Sequence, residues 1–154
     1  MKNTVLILLL LLISSSGICW AAAIVVSGSW AETIDASDLQ AGAGSDLIDT
    51  YESTANEVRI RVTASANWRV DVRKSDITWH GNFQLYVRRT SDGTGKGSVS
   101  GGTTYQEVTT TDQSFFTGDK NRNNVDVQLR LTGVSIQIPP NTYTTTVNYT
   151  VTDI

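Results

Sequence analysis

Val58-Arg59-Ile60-Arg61-Val62-Thr63-Ala64-Ser65-Ala66-Asn67-Trp68-Arg69-Val70-Asp71-Val72-Arg73 decides the fold. On both sides of Ser65-Ala66-Asn67, apolar residues occupy every second position and polar or charged residues the positions between. Successive side chains of a β-strand point to opposite faces, so a period of two gives a ribbon with one apolar and one wet face. The same alternation recurs over residues 83–88, 125–131 and 143–151. No segment beyond the first twenty or so residues shows a helical repeat over a helical length.

One-sided strands in series belong to antiparallel sheets, and two such sheets bury their apolar faces against each other. The pattern therefore predicts an all-β protein, an Ig-like or jelly-roll-like antiparallel β-sandwich. Weaker strands are expected at 24–30, 47–51, 105–109, 114–116 and 134–138, for a total of eight to ten. Parity places Trp68 in the core. Pro139-Pro140-Asn141 forces a stiff bend before the last strand, because proline cannot donate to a ladder. That last strand, with threonines on its wet face and tyrosines turned inward, is expected to be central to stability. The Ser91-Asp92-Gly93-Thr94-Gly95-Lys96-Gly97 stretch reads as a flexible exposed loop.

The beginning of the 154-residue chain has a different character. Lys2 precedes the apolar run Val5-Leu6-Ile7-Leu8-Leu9-Leu10-Leu11-Leu12-Ile13, which is followed by Ser14-Ser15-Ser16-Gly17 and Ala21-Ala22-Ala23. This is the order of an export leader: charged start, apolar centre, small-residue cleavage site. The expected division is a signal peptide over 1–23 and one sandwich domain over 24–154, secreted to the cell surface or periplasm. The one cysteine, Cys19, falls within the leader, and Ile18 before it is not the small residue that lipidation needs. Loss of Lys2 takes the net charge from −3 to about −4. A weakly acidic chain argues against nucleic-acid binding. No second apolar stretch is long enough to span a bilayer.

Residues that could carry chemistry are sparse. His80 is the only histidine, no Gly-x-Ser-x-Gly elbow exists, and a nucleophile–base pair cannot be assembled from what remains. Gly95-Lys96-Gly97 lacks the Ser or Thr of a phosphate-binding loop. The expectation is a protein that is not an enzyme and takes no cofactor. Asp119, Asn121, Asn123 and Asp126 place oxygen ligands at calcium-loop spacing, but the acid expected at position 130 is an arginine, so a polar turn with Asn in left-handed backbone is the preferred reading. Trp79, His80 and Tyr86 are the candidate platform for a sugar. Arg59, Arg61, Arg69, Arg73 and Arg88 fall on wet faces, where such charges discourage edge pairing. Asn148-Tyr149-Thr150 matches a glycosylation acceptor and is read as a chance match inside a strand.

The final segment, Pro139-Pro140-Asn141-Thr142-Tyr143-Thr144-Thr145-Thr146-Val147-Asn148-Tyr149-Thr150-Val151, resembles the end of spore-coat-U-like and chaperone–usher pilin domains. The resemblance implies an edge-open sandwich that polymerises by donating an N-terminal strand. Ile24, Val26, Gly28 and Trp30 are the matching assembly-strand candidates, alternating as an inserted strand must. The same residues also read as the first strand of the chain's own sandwich, and that is the preferred reading. The expected role is a secreted structural or adhesive surface protein, a pilus- or coat-like subunit whose partner is a second copy. The alternative is a secreted module that binds a surface glycan.

Overall fold

The structure is a computed structural model that describes residues 21–154. Cys19 and nearly all of the expected leader lie outside the described residues. Eleven strands form among these: β1 (Ala23–Ser27), β2 (Tyr51–Glu52), β3 (Val58–Thr63), β4 (Asn67–Thr78), β5 (Gln84–Arg89), β6 (Thr94–Gly95), β7 (Val99–Ser100), β8 (Gln106–Glu107), β9 (Gln113–Asp119), β10 (Arg122–Thr132) and β11 (Thr144–Asp153). The helical content among them is a single 3-10 turn at Ala36–Asp38, capped by Asp35.

The strands build two antiparallel sheets packed face to face. The first runs β1-β3-β10-β5-β8, with β2 and β6 pairing the two ends of β10. The second runs β11-β4-β9-β7. Ser65-Ala66 carries the chain from β3 in one sheet to β4 in the other, so the two most regular strands face each other across the core. Ile60, Val62, Val87, Val125 and Val127 from the first sheet meet Trp68, Val70, Val72 and Phe116 from the second, all essentially inaccessible to water. The Trp68 indole donates to Lys120 O (2.8 Å), meets Phe116 edge-on (5.9 Å between ring centroids) and lies over Gly118. A Cβ at Gly118 would overlap that indole, so close approach is what requires glycine there.

Two expectations are corrected. Residues 134–138 form no strand: Ile136 N–H donates to Asp46 Oδ1 (2.8 Å) and Val134 N–H to Asp49 O (3.3 Å), while Gln137 and Ile138 N–H turn back onto Ser135 (3.3 and 3.1 Å). The apolar alternation of Val134, Ile136 and Ile138 does not mark a buried face, since Ile136 is exposed. The strand expected at 47–51 is reduced to its last residue: Leu47 makes only an isolated bridge with Leu39, and β2 begins at Tyr51. Among the described residues β11 pairs with β4 alone and is the edge of its sheet.

Candidate functional site at the open sheet edges

The two lateral sides of the sandwich differ. On one side the chain seals the gap itself. Val108 N–H donates to Leu85 O in the first sheet (2.7 Å), and the next residue, Thr109, accepts from Lys74 N–H in the second (2.8 Å). On the other side lie β1 and β11, each hydrogen-bonded along one flank only among the described residues. They are latched at one point, where the N–H of Ala22, a residue of the expected leader, donates to both Asp153 carboxylate oxygens (3.1 and 3.2 Å).

The phase of the backbone identifies what the free flanks offer. Lys74 N–H points toward β9, and N–H and C=O directions alternate along a strand, so Arg69, Asp71 and Arg73 turn toward β11. Their partners Thr152, Thr150 and Asn148 therefore bond to β4. Ile154 N–H, donating to Asn67 O (3.1 Å), has the same phase. Val147, Tyr149 and Val151 are left with main-chain groups facing outward. In the first sheet, Asp126 O bonds toward β5 and Leu129 O toward β2. The same alternation leaves Ile24 and Val26 with free main-chain groups on β1.

Ile24, Val147, Tyr149 and Val151 pack partly buried against the core, and Val26 beside Ile24 is 40% exposed. Residues 144–152 carry no charge and no proline. Natural edges are normally guarded by lysine, proline or bulges. Here the one register shift falls at the start of the strand, between Thr144 and Thr145. Tyr143 Oη donates to Pro139 O (2.7 Å) and fixes the bend that delivers the chain into β11. The Tyr149 hydroxyl has no hydrogen-bond partner among the described residues, and burial pushes its phenol up from the ordinary tyrosine value.

Of the assembly-strand candidates, Ile24 and Val26 lie on β1 at this edge. Gly28 and Trp30 do not continue the strand, which ends at Ser27. Gly28 takes φ 108°, and a Cβ there would overlap Glu57 O. Trp30 packs half-buried against the core.

The structure does not gather the calcium candidates. Asp119 accepts from the Ser98 N–H and hydroxyl, which holds its carboxyl below the usual range. Asn121 accepts from Ala64 N–H (2.8 Å), Asn123 sits opposite Thr94, and Asp126 pairs with Arg59 (3.2 Å). Asn124 adopts φ 55° in the bulge of β10, the left-handed backbone expected of a polar turn.

Trp79 and His80 join Phe83 and Tyr143 rather than Tyr86. Trp79 meets Phe83 edge-on at 5.4 Å, and Phe83 meets Tyr143 at 5.0 Å. His80 touches Phe83 (5.7 Å) and Tyr143 (6.1 Å). Tyr86 lies apart, on the outer face of the first sheet, with its hydroxyl on Gln84 (3.2 Å).

The glycine loop holds a cation rather than a phosphate. The Arg122 guanidinium, 8% exposed, donates to the carbonyls of Asp92, Gly93, Gly95 and Gly97 at 2.6–3.4 Å. Among the described residues it forms no ion pair; hydrogen bonds alone satisfy it. Sequence reading missed this residue, because its alternating pattern starts only at Val125. An arginine at the start of a long strand, opposite three closely spaced glycines, was the available signal.

No protein-family model, curated protein or solved structure matches the chain.

Proposed function

We propose that the protein is a structural or adhesive surface subunit, exported and assembled by strand addition at the open side of the sandwich. The carrying observation is β11: a ten-residue edge strand whose first nine residues, Thr144 to Thr152, carry no charge, beside a second uncharged edge in β1. Strand addition supplies main-chain hydrogen bonds, while alternate side chains of the incoming strand pack over the gap. Val147, Tyr149 and Val151 offer the bonds, and the half-covered Ile24 and the exposed Val26 offer apolar surface. The likeness of the final segment to pilin and coat domains fits the same role. The glycan reading has less support, since Trp79, His80, Phe83 and Tyr143 pack edge-to-face as an end cap rather than as a flat platform.

Val151→Pro separates assembly from folding. Its N–H faces outward, so the substitution leaves the β4–β11 ladder complete. Sedimentation of the purified protein at rising concentration is expected to show oligomers for the wild type and their loss in Val151→Pro, with melting temperatures close together. A wild type that stays monomeric throughout would remove the proposal.

A further inference from the structure

Resting on the strand-addition reading, we infer that the partner of the β11 edge is the β11 edge of a second copy, paired antiparallel about a two-fold axis at Tyr149. The strand reads nearly the same in both directions from that residue. Reversal about Tyr149 sets Val147 against Val151′, Thr146 against Thr152′ and Asn148 against Thr150′, with Tyr149 against itself. Each pair matches in kind, and cross-strand β-branched and threonine pairs are favourable neighbours. Asp153 would face Thr145′, so no like charges meet.

The backbone phase fits the same axis. In an antiparallel ladder, residues that exchange both hydrogen bonds stand directly opposite each other at every second position. The outward-facing groups belong to Val147, Tyr149 and Val151, which are the residues this reversal pairs with Val151′, Tyr149′ and Val147′. A slip of one residue would set outward-facing groups against inward-facing ones. The Tyr149 ring leans across β4 toward Phe115 (6.3 Å), clear of the edge. The two four-stranded sheets would then join as one sheet of eight. Such a contact is self-complementary and closes, so a filament would need β1 for its next joint.

Thr146 and Thr152 are exposed on the outer face, beside Ser75 and Arg69 of the same chain. Thr146→Asp/Thr152→Asp places like charges opposite each other twice across the axis. Thr146→Lys/Thr152→Asp places opposite charges there. Both double variants carry the same Thr152→Asp change beside Arg69, so they differ in the contact rather than in the fold. At low salt the first is expected to weaken self-association about tenfold or more, and the second to restore it. In a Cys19→Ser background, an equimolar mixture of Asn148→Cys and Thr150→Cys chains is expected to form disulfide-linked pairs that neither forms alone. Equal association of the two charge variants, or no mixed disulfide while wild-type oligomers persist, overturns the two-fold pairing and leaves strand addition standing. A wild type without oligomers overturns both.

Discussion

The sandwich has two lateral sides built from similar residue types and finished in opposite ways. Along one, residues 105–113 cross from sheet to sheet, and Arg89 and Arg122 draw the 91–102 segment onto the framework. Arg89 donates to Gly101 O (2.9 Å) and Ser91 O (3.2 Å), and pairs with Asp92. Along the other, β1 and β11 touch at the Ala22–Asp153 latch, and their outer main-chain groups find no partner among the described residues. Main-chain groups left unpaired inside a protein cost free energy, but at a wet edge they are bonded to water and available to exchange. A chain able to seal one side with two guanidinium groups and a crossing segment has the means to seal the other. The difference is therefore the strongest structural reason to look for a partner at β1 and β11.

The closed side should be costly to disturb. Arg122→Ala removes five hydrogen bonds and exposes or strands four loop carbonyls, so the expected loss is about 2–4 kcal/mol. Urea denaturation checks the size. Hydrogen exchange checks the location, since protection should vanish first around β6 and β7. Equal loss of protection in β1 and β11 would mean that the two sides are one cooperative unit and would break the comparison.

A matched pair sharpens it. Val108 is inaccessible at the sealed corner, whereas Val147 is half-covered at the open edge. Val108→Ala is expected to cost about 2 kcal/mol, for two lost carbon groups and a residual cavity. Val147→Ala is expected to cost about half of that or less, because water already reaches the site. The denaturation midpoints of the two variants give the ratio directly; equal costs would indicate that the open edge is packed as well as the corner.

Acid should also act on the closed side. Asp119, bound by the Ser98 N–H and hydroxyl, titrates below its ordinary 3.8 in the folded state. A depressed folded pKa contributes stability above the unfolded value, lost as pH falls through the folded one. Asp35, Asp46 and Glu52 are lowered too, so total stability falls in the same window. The Asp119 share is isolated by difference: wild type should exceed Asp119→Asn near neutrality, and the gap should close as pH falls past the ordinary aspartate value and through the lowered folded one. A gap independent of pH would assign the effect to lost contacts alone.

How much of this was legible in the sequence follows from the range of each interaction. Alternation around Trp68 and Val127 fixes which side chains are buried, because face selection is local to a strand. Which edge each strand occupies is not local. The same five-residue alternation serves β3, flanked on both sides, and the exposed flank of β11. Residues 134–138 alternate as convincingly as a strand, but their donors go to the distant Asp46 and Asp49 and back onto Ser135. The loop around Arg122 was hidden for the same reason: nothing within residues 91–97 reveals that its carbonyls turn inward toward a cation some twenty-five residues later. For the open edge, the absence of charge between Thr144 and Thr152 was visible from the start, but it acquires meaning only once β11 is known to have a single neighbour.

The smallest expected effect bears on the edge itself. Tyr149 buries its hydroxyl without a hydrogen-bond partner, and a buried polar group left unsatisfied is a net cost to the fold. Tyr149→Phe keeps the ring against Phe115 and removes that cost, so the monomer should gain up to about 1 kcal/mol. The main chain at position 149 is unchanged, so self-association should be unchanged too. Stability and sedimentation, measured on the same variant, separate the inward face of β11 from its outer flank. A loss of stability would mean that the hydroxyl is satisfied by water, and a loss of oligomers would place Tyr149 in the contact through its side chain rather than its backbone.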